Sequence, residues 1–215
     1  MNMSHVFVSP RCPIQIVLLQ NSWLPLFVLS LLQCSSTINL TNILTVLLAS
    51  QCSFVTRNPH DTSSSSLEKF DERESNKSCE LRRIQSLLYA FDRLRLTSVE
   101  YAYLKLISVL NPQHIIGRLI WVRWISYSPL MHRVLEGVSA CDQVEAYRML
   151  AYKELNEYMN DRMVSTSQEK YTEDSERLGR LLLQLPFLAE LDTDVVEEIF
   201  FVGLIGTFHS WPRVS

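Results

Sequence analysis

Glycine is scarce, with five residues in 215. Turn-rich all-β folds need left-handed backbone at many corners, and phosphate-cradling loops need an approach that a Cβ blocks, so both classes are disfavoured. The cysteines are few and scattered. Cys12, Cys34, Cys52, Cys79 and Cys141 form no C-x-x-C pair, which argues against a disulfide framework and excludes a module built on four-cysteine zinc sites. Net charge is only −3. No global basic field exists to hold nucleic acid, and no direct DNA binding is expected from this chain. His5, His60, His114, His132 and His209 stand apart, and no H-E-x-x-H, G-x-S-x-G or G-K-[ST] motif occurs. Adjacent Glu197 and Glu198 would point about 100° apart on a helix, which suits a solvated face and not acid–base work. The chain is read as a non-enzyme, with no catalytic residue, metal or cofactor.

Charge is missing altogether from Cys12 to Thr56. Leucine runs there alternate with Gln20, Asn21, Gln33, Ser35, Ser36, Asn39 and Asn42. A membrane span needs about 20 mostly apolar residues, and the polar interruptions favour a pair of core helices broken at Ser35-Ser36-Thr37. A small membrane protein anchored through residues 12–56 is the competing reading. Ser53 to Ser78, with Pro59 and four consecutive serines, reads as a flexible polar linker, taken as 53–80 in the domain division.

What is present is helical. Ile84, Leu87, Leu88, Phe91 and Leu94 make one face. Thr97 or Ser98 caps the next helix, with Glu100 in its first turn, and Tyr101, Leu104, Ile107 and Val109 carry it to Asn111-Pro112. Residues 113–137 have two tryptophans and poor helical spacing; Leu119 to Val122 would suit a strand as easily. Val144, Tyr147, Leu150, Ala151, Leu155 and Tyr158 form another stripe, followed by a polar loop from Asp161 to Thr172. Leu178, Leu181, Leu182 and Leu185 then fall at i, i+3, i+4 and i+7. Pro186 bends or breaks that helix, Asp192-Thr193-Asp194 supplies a new cap, and Ile199-Phe200-Phe201-Val202 leads to Gly203 and Gly206.

The order of leucine helix, proline, capped helix, double phenylalanine and Leu-Ile-Gly resembles the last long helix of nuclear-receptor ligand-binding domains. The testicular-receptor group of orphan receptors, in the retinoid X receptor-like subfamily, is the nearest likeness. Three further stretches carry the resemblance. Gln15-Ile16-Val17-Leu18-Leu19-Gln20-Asn21-Ser22-Trp23, with Leu26 to Leu29 and Leu31, is similar to the family signature D-Q-x-x-L-L-x-x-x-W-x-E-L. Glu100 to Pro112 and Gln143 to Tyr158 are similar to the eighth and ninth helices. The signature's Asp is Ile14 here, and its Glu is Pro25.

The resemblance implies an all-α fold, an incomplete three-layer helical sandwich over residues 14–206, truncated at both ends. Residues 1–13 and 207–215 would lie outside the family, and 113–137 would be an insert. It implies a pocket for a small lipophilic ligand at Trp23, Leu24, Phe27, Leu31 and Cys34, with Val195, Glu198, Ile199 and Val202 opposite. A coactivator groove would use Gln15, Ile16, Leu19 and Gln20, and a dimer face Leu182, Leu183, Pro186 and Thr193. The expected partners are nuclear receptors, as homo- or heterodimer, in the nucleus. Coactivator or corepressor peptides are not expected to be gripped, because the third helix and the activation helix that supply the charge clamp have no match. A non-functional truncated product is the remaining alternative.

Overall fold

The computed structural model describes residues 12–55, 64–115, 131–164 and 171–205, and among these no strand occurs. The elements are α1 (Cys12–Gln33), α2 (Ser35–Ile38), α3 (Leu40–Val55), α4 (Ser64–Leu94), α5 (Ser98–Val109), α6 (Met131–Val164), α7 (Tyr171–Leu182), α8 (Gln184–Ala189) and α9 (Thr193–Ile205). The chain forms two compact units. One comprises Met1–Gln33 with Arg95–Leu185, the other Cys34–Leu94 with Pro186–Ser215.

In the first unit α1 packs on α5, α5 on α6 and α6 on α7. Leu18, Leu29 and Leu32 of α1 are buried at three-, four- and seven-residue steps with Ser22. The uncharged helix satisfies its own polar groups. Ser22 Oγ and Ser30 Oγ donate to the carbonyls four residues back, Leu18 and Leu26, and Asn21 Nδ2 donates to Val17. Pro25 sits inside α1 without ending it, at the cost of one helical donor to the Asn21 carbonyl. α5 begins in a capping box. Thr97 Oγ1 accepts from the Glu100 amide while the Glu100 carboxylate accepts from the Thr97 amide. Leu18, Val109, Leu110, Ile115 and Val144 close one apolar cluster.

In the second unit α3 and α9 both pack on α4, and α2 on α3. Leu81, Ile84 and Phe91 are buried along one stripe of α4. Asn39 turns the chain between α2 and α3 with φ 52°, a left-handed position that asparagine tolerates. Asp192 Oδ1 accepts from the amides of Asp194 and Val195, so it caps α9 as its chemistry predicts. Glu80, buried on α4, accepts from the Asp192 amide and from Arg83, and Arg83 also donates to the Glu190 carbonyl.

Three expectations change. The polar stretch assigned to a linker is helical from Ser64, where α4 begins, and polarity alone does not distinguish a polar helix from a loop. The loop expected from Asp161 is narrower, since α6 reaches Val164 and α7 starts at Tyr171. The break attributed to Pro186 falls earlier, at Leu183. Pro186 lies in the first turn of α8, where its missing N–H is one of the helix's orphan donors. The candidate strand at Leu119 to Val122 lies outside the described residues. Ile115, at the start of the segment read as an insert, is a core residue.

Candidate functional site

The outer face of α1 carries the groove residues. Ile16 and Leu19 are 49% and 47% exposed, three residues apart and so on one side of the helix. Gln20 beside them is exposed and Gln15 half-buried. Further along α1, Leu24 is buried, while Trp23, Phe27 and Leu31 are half-buried. The Trp23 and Phe27 rings lie 6.4 Å apart and tilted by 48°, within the centroid separation of interacting aromatic pairs. These four pocket candidates belong to the first unit. Cys34, exposed, belongs to the second, together with half-buried Val195, Glu198 and Ile199. The Glu198 carboxylate lies 2.9 Å from Lys77 Nζ, so it meets a cation. Val202 is on α9, but its side chain lies outside the described residues.

The dimer candidates are on show. Leu183 is 65% exposed at the end of α7; Pro186 and Thr193 are exposed, and Leu182 is half-buried. Phe187 on α8 is 54% exposed and was missed by the sequence reading. Its place four residues after Leu183 was the available signal, masked by the assumption that Pro186 ended the helix.

A buried ion pair fixes α7 in its unit. Arg177 Nη2 lies 3.0 Å from Glu100, whose carboxylate is 1% exposed, and also donates to the Arg95 carbonyl. Thr97 Oγ1 approaches Tyr158 of α6 at 3.4 Å. The sequence showed the capping role of Glu100 but gave no sign of Arg177, which lies far along the chain. Tyr103 donates to Glu154 at 3.3 Å, and burial, then that carboxylate, raise its pKa. Burial, then Asp142, raise the Cys141 thiol. Among the described residues no group of three His, Cys, Asp or Glu is placed to hold a metal. Ile14–Gln33 is long and apolar enough to cross a membrane; here Lys105 of α5 donates to Gln33 and buried Ser22 meets α5, the contacts of a core helix.

A model described as the ligand-binding domain of nuclear hormone receptor matches residues 13–205. The chain is 27% identical over 190 residues to nuclear receptor subfamily 2 group C member 2 of Homo sapiens, covering 88% of this chain and 25% of that protein. It is 29% identical over 191 residues to nuclear receptor subfamily 2 group C member 1-A of Xenopus laevis, covering 89% and 24%. A third relative, orphan steroid hormone receptor 2 of Strongylocentrotus purpuratus, is 27% identical over 189 residues, covering 88% and 26%. The chain thus spans about a quarter of the length of these curated relatives. The first two relatives are testicular receptors. With helices throughout its described residues and a family match over most of its length, the chain belongs to the ligand-binding-domain family of nuclear hormone receptors.

Proposed function

We propose that this chain acts in the nucleus as an orphan-receptor ligand-binding domain that regulates transcription by pairing with itself or with another nuclear receptor. The family consists of ligand-regulated transcription factors, and the relatives' names include orphan receptors. The observation that carries the pairing is Leu183, 65% exposed in the turn that follows α7, the helix tied down by Arg177. Leu183 and Phe187, four residues further along the chain, are both exposed, and exposed apolar surface of this kind marks interaction sites. Size-exclusion chromatography with light scattering, from about 1 to 100 μM across the affinity range of such interfaces, tests this. A wild-type chain that stays monomeric, alone and with a full-length relative, overturns it.

Two finer roles follow. The half-buried Trp23, Phe27 and Leu31 of α1 would contribute to a lipophilic site, and Val195, Glu198, Ile199 and Val202 remain separate candidates on α9; buried Leu24 is the weakest member, since it is occupied in packing. The α1 face offers an LxxLL helix Ile16 and Leu19 but no charge, because α1 contains none. We therefore expect weak coactivator recruitment. Fluorescence polarisation with an LxxLL peptide should show no saturation in the micromolar range, and a micromolar Kd refutes it.

A further inference from the structure

A polar cluster at the carboxy-terminal end of α5 is left unused by the ligand, groove and dimer roles. Ser22 of α1 is fully buried. Its Oγ lies 2.6 Å from the Leu18 carbonyl, 3.3 Å from the Ser108 carbonyl and 3.1 Å from His114 Nδ1. A hydroxyl has a single proton, and a carbonyl only accepts. The short contact to Leu18 takes that proton, so His114 Nδ1 carries a hydrogen and donates to Ser22 Oγ. In the neutral ring Nε2 is then an acceptor, and Asn111 Nδ2 stands 3.4 Å from it. Asn111 is oriented from its other end, where Oδ1 accepts from the Gln113 amide at 3.2 Å. Both ring nitrogens of neutral His114 are thus matched. A second proton sets Nε2–H against the Asn111 amide nitrogen, donor against donor. Turning that amide over would give up the Gln113 bond.

Among the described residues the surroundings offer the extra charge no compensation. α1 contributes Leu18 and Ser22 and carries no charge. α5 and the residues after it contribute the Ser108 carbonyl and Asn111. α6 contributes the Arg148 cation, whose Nε is buried without a hydrogen-bond partner among the described residues, and the titratable Cys141 and Tyr147 at the edge of the apolar cluster.

We propose that His114 is an acid-sensitive latch: the neutral ring ties α1 to the end of α5, and a second ring proton releases α1. Burial first, and the Arg148 cation second, hold the ring below its ordinary pKa. A group lowered in the fold stabilises it fully above its unfolded value, about 6.5. That contribution is lost as pH falls through the folded value. The latch stands whether or not the α1 face binds a peptide.

Hydrogen exchange of the full chain, read against NMR titration of the histidine rings, tests it. His114 should titrate below an unperturbed histidine. Protection of amides 17–24, corrected for intrinsic exchange, should fall about tenfold or more through its midpoint, as local opening does, while the α4 amides keep theirs. His114→Asn keeps a donor and cannot be protonated, so its α1 protection should not change over that range. Asn111→Asp places an acceptor opposite Nε2, should raise the His114 midpoint, and should keep the α1 amides protected through it, because the second ring proton then has a partner. The latch is overturned if His114 titrates at or above the ordinary value, or if His114→Asn loses α1 protection as wild type does. Should that variant not fold, an Asn111→Asp protein that loses α1 protection with falling pH as wild type does overturns it.

Discussion

Two outward-facing apolar places in one unit are framed differently. On α1, Ile16 and Leu19 sit among glutamines on a helix without charge. At the end of α7, Leu183 follows an Arg180–Glu176 pair at 2.7 Å, and Arg177 of the same helix is locked to buried Glu100. Apolar contact alone gives a partner affinity but little orientation. A charged border steers encounter and fixes register, even when an exposed pair adds little to stability. The α7 end is therefore the better built for one specific, oriented partner.

The largest effect should come from removing the α7 anchor. Glu100→Gln leaves Arg177 without its buried partner and should cost about 3 kcal/mol in urea denaturation; a change within error would show that the pair does not hold α7. Next comes the inner face of α1. Leu29, fully buried, should cost about 2.5 kcal/mol as Leu29→Ala, which thermal or urea melts will show. Leu183→Asp should spare folding but weaken pairing by roughly 30-fold, the scale of an interface anchor, read by light scattering across a dilution series. Leu182→Asp, half-buried, should lose pairing and some stability together. The smallest effect belongs to the outer face of α1. Ile16→Ser should move the urea midpoint by no more than about 0.5 kcal/mol. A cost like that of Leu29→Ala would mean that Ile16 is packed, erasing the contrast between the two faces.

Much of this was legible in the residues. The stripes of α4, α5 and α7, the Thr97–Glu100 box and the Asp192 cap follow from local spacing, because caps and amphipathic periods act within one or two turns. The length of α4 was misjudged because a solvated helix and a loop share a composition. Of the site residues named from the resemblance, Ile16, Leu19 and Leu183 are exposed, whereas Leu24 is taken up by packing. Arg177, Phe187 and the Ser22–His114–Asn111 cluster were not found, since each depends on residues that meet only after the helices pack or on where a helix breaks.

The sequence by itself determined that this chain is helical, where α5 and α9 are capped, and which family its motifs match. Those properties are encoded in neighbours three to four residues apart and in the order of motifs. The tertiary structure alone decided which leucines are core and which face outward, that Glu100 is buried against Arg177, and that Ser22, His114 and Asn111 meet. Burial and hydrogen-bond geometry arise only when segments distant in the chain are brought within a few ångströms, and that proximity sets the energetic worth of each group.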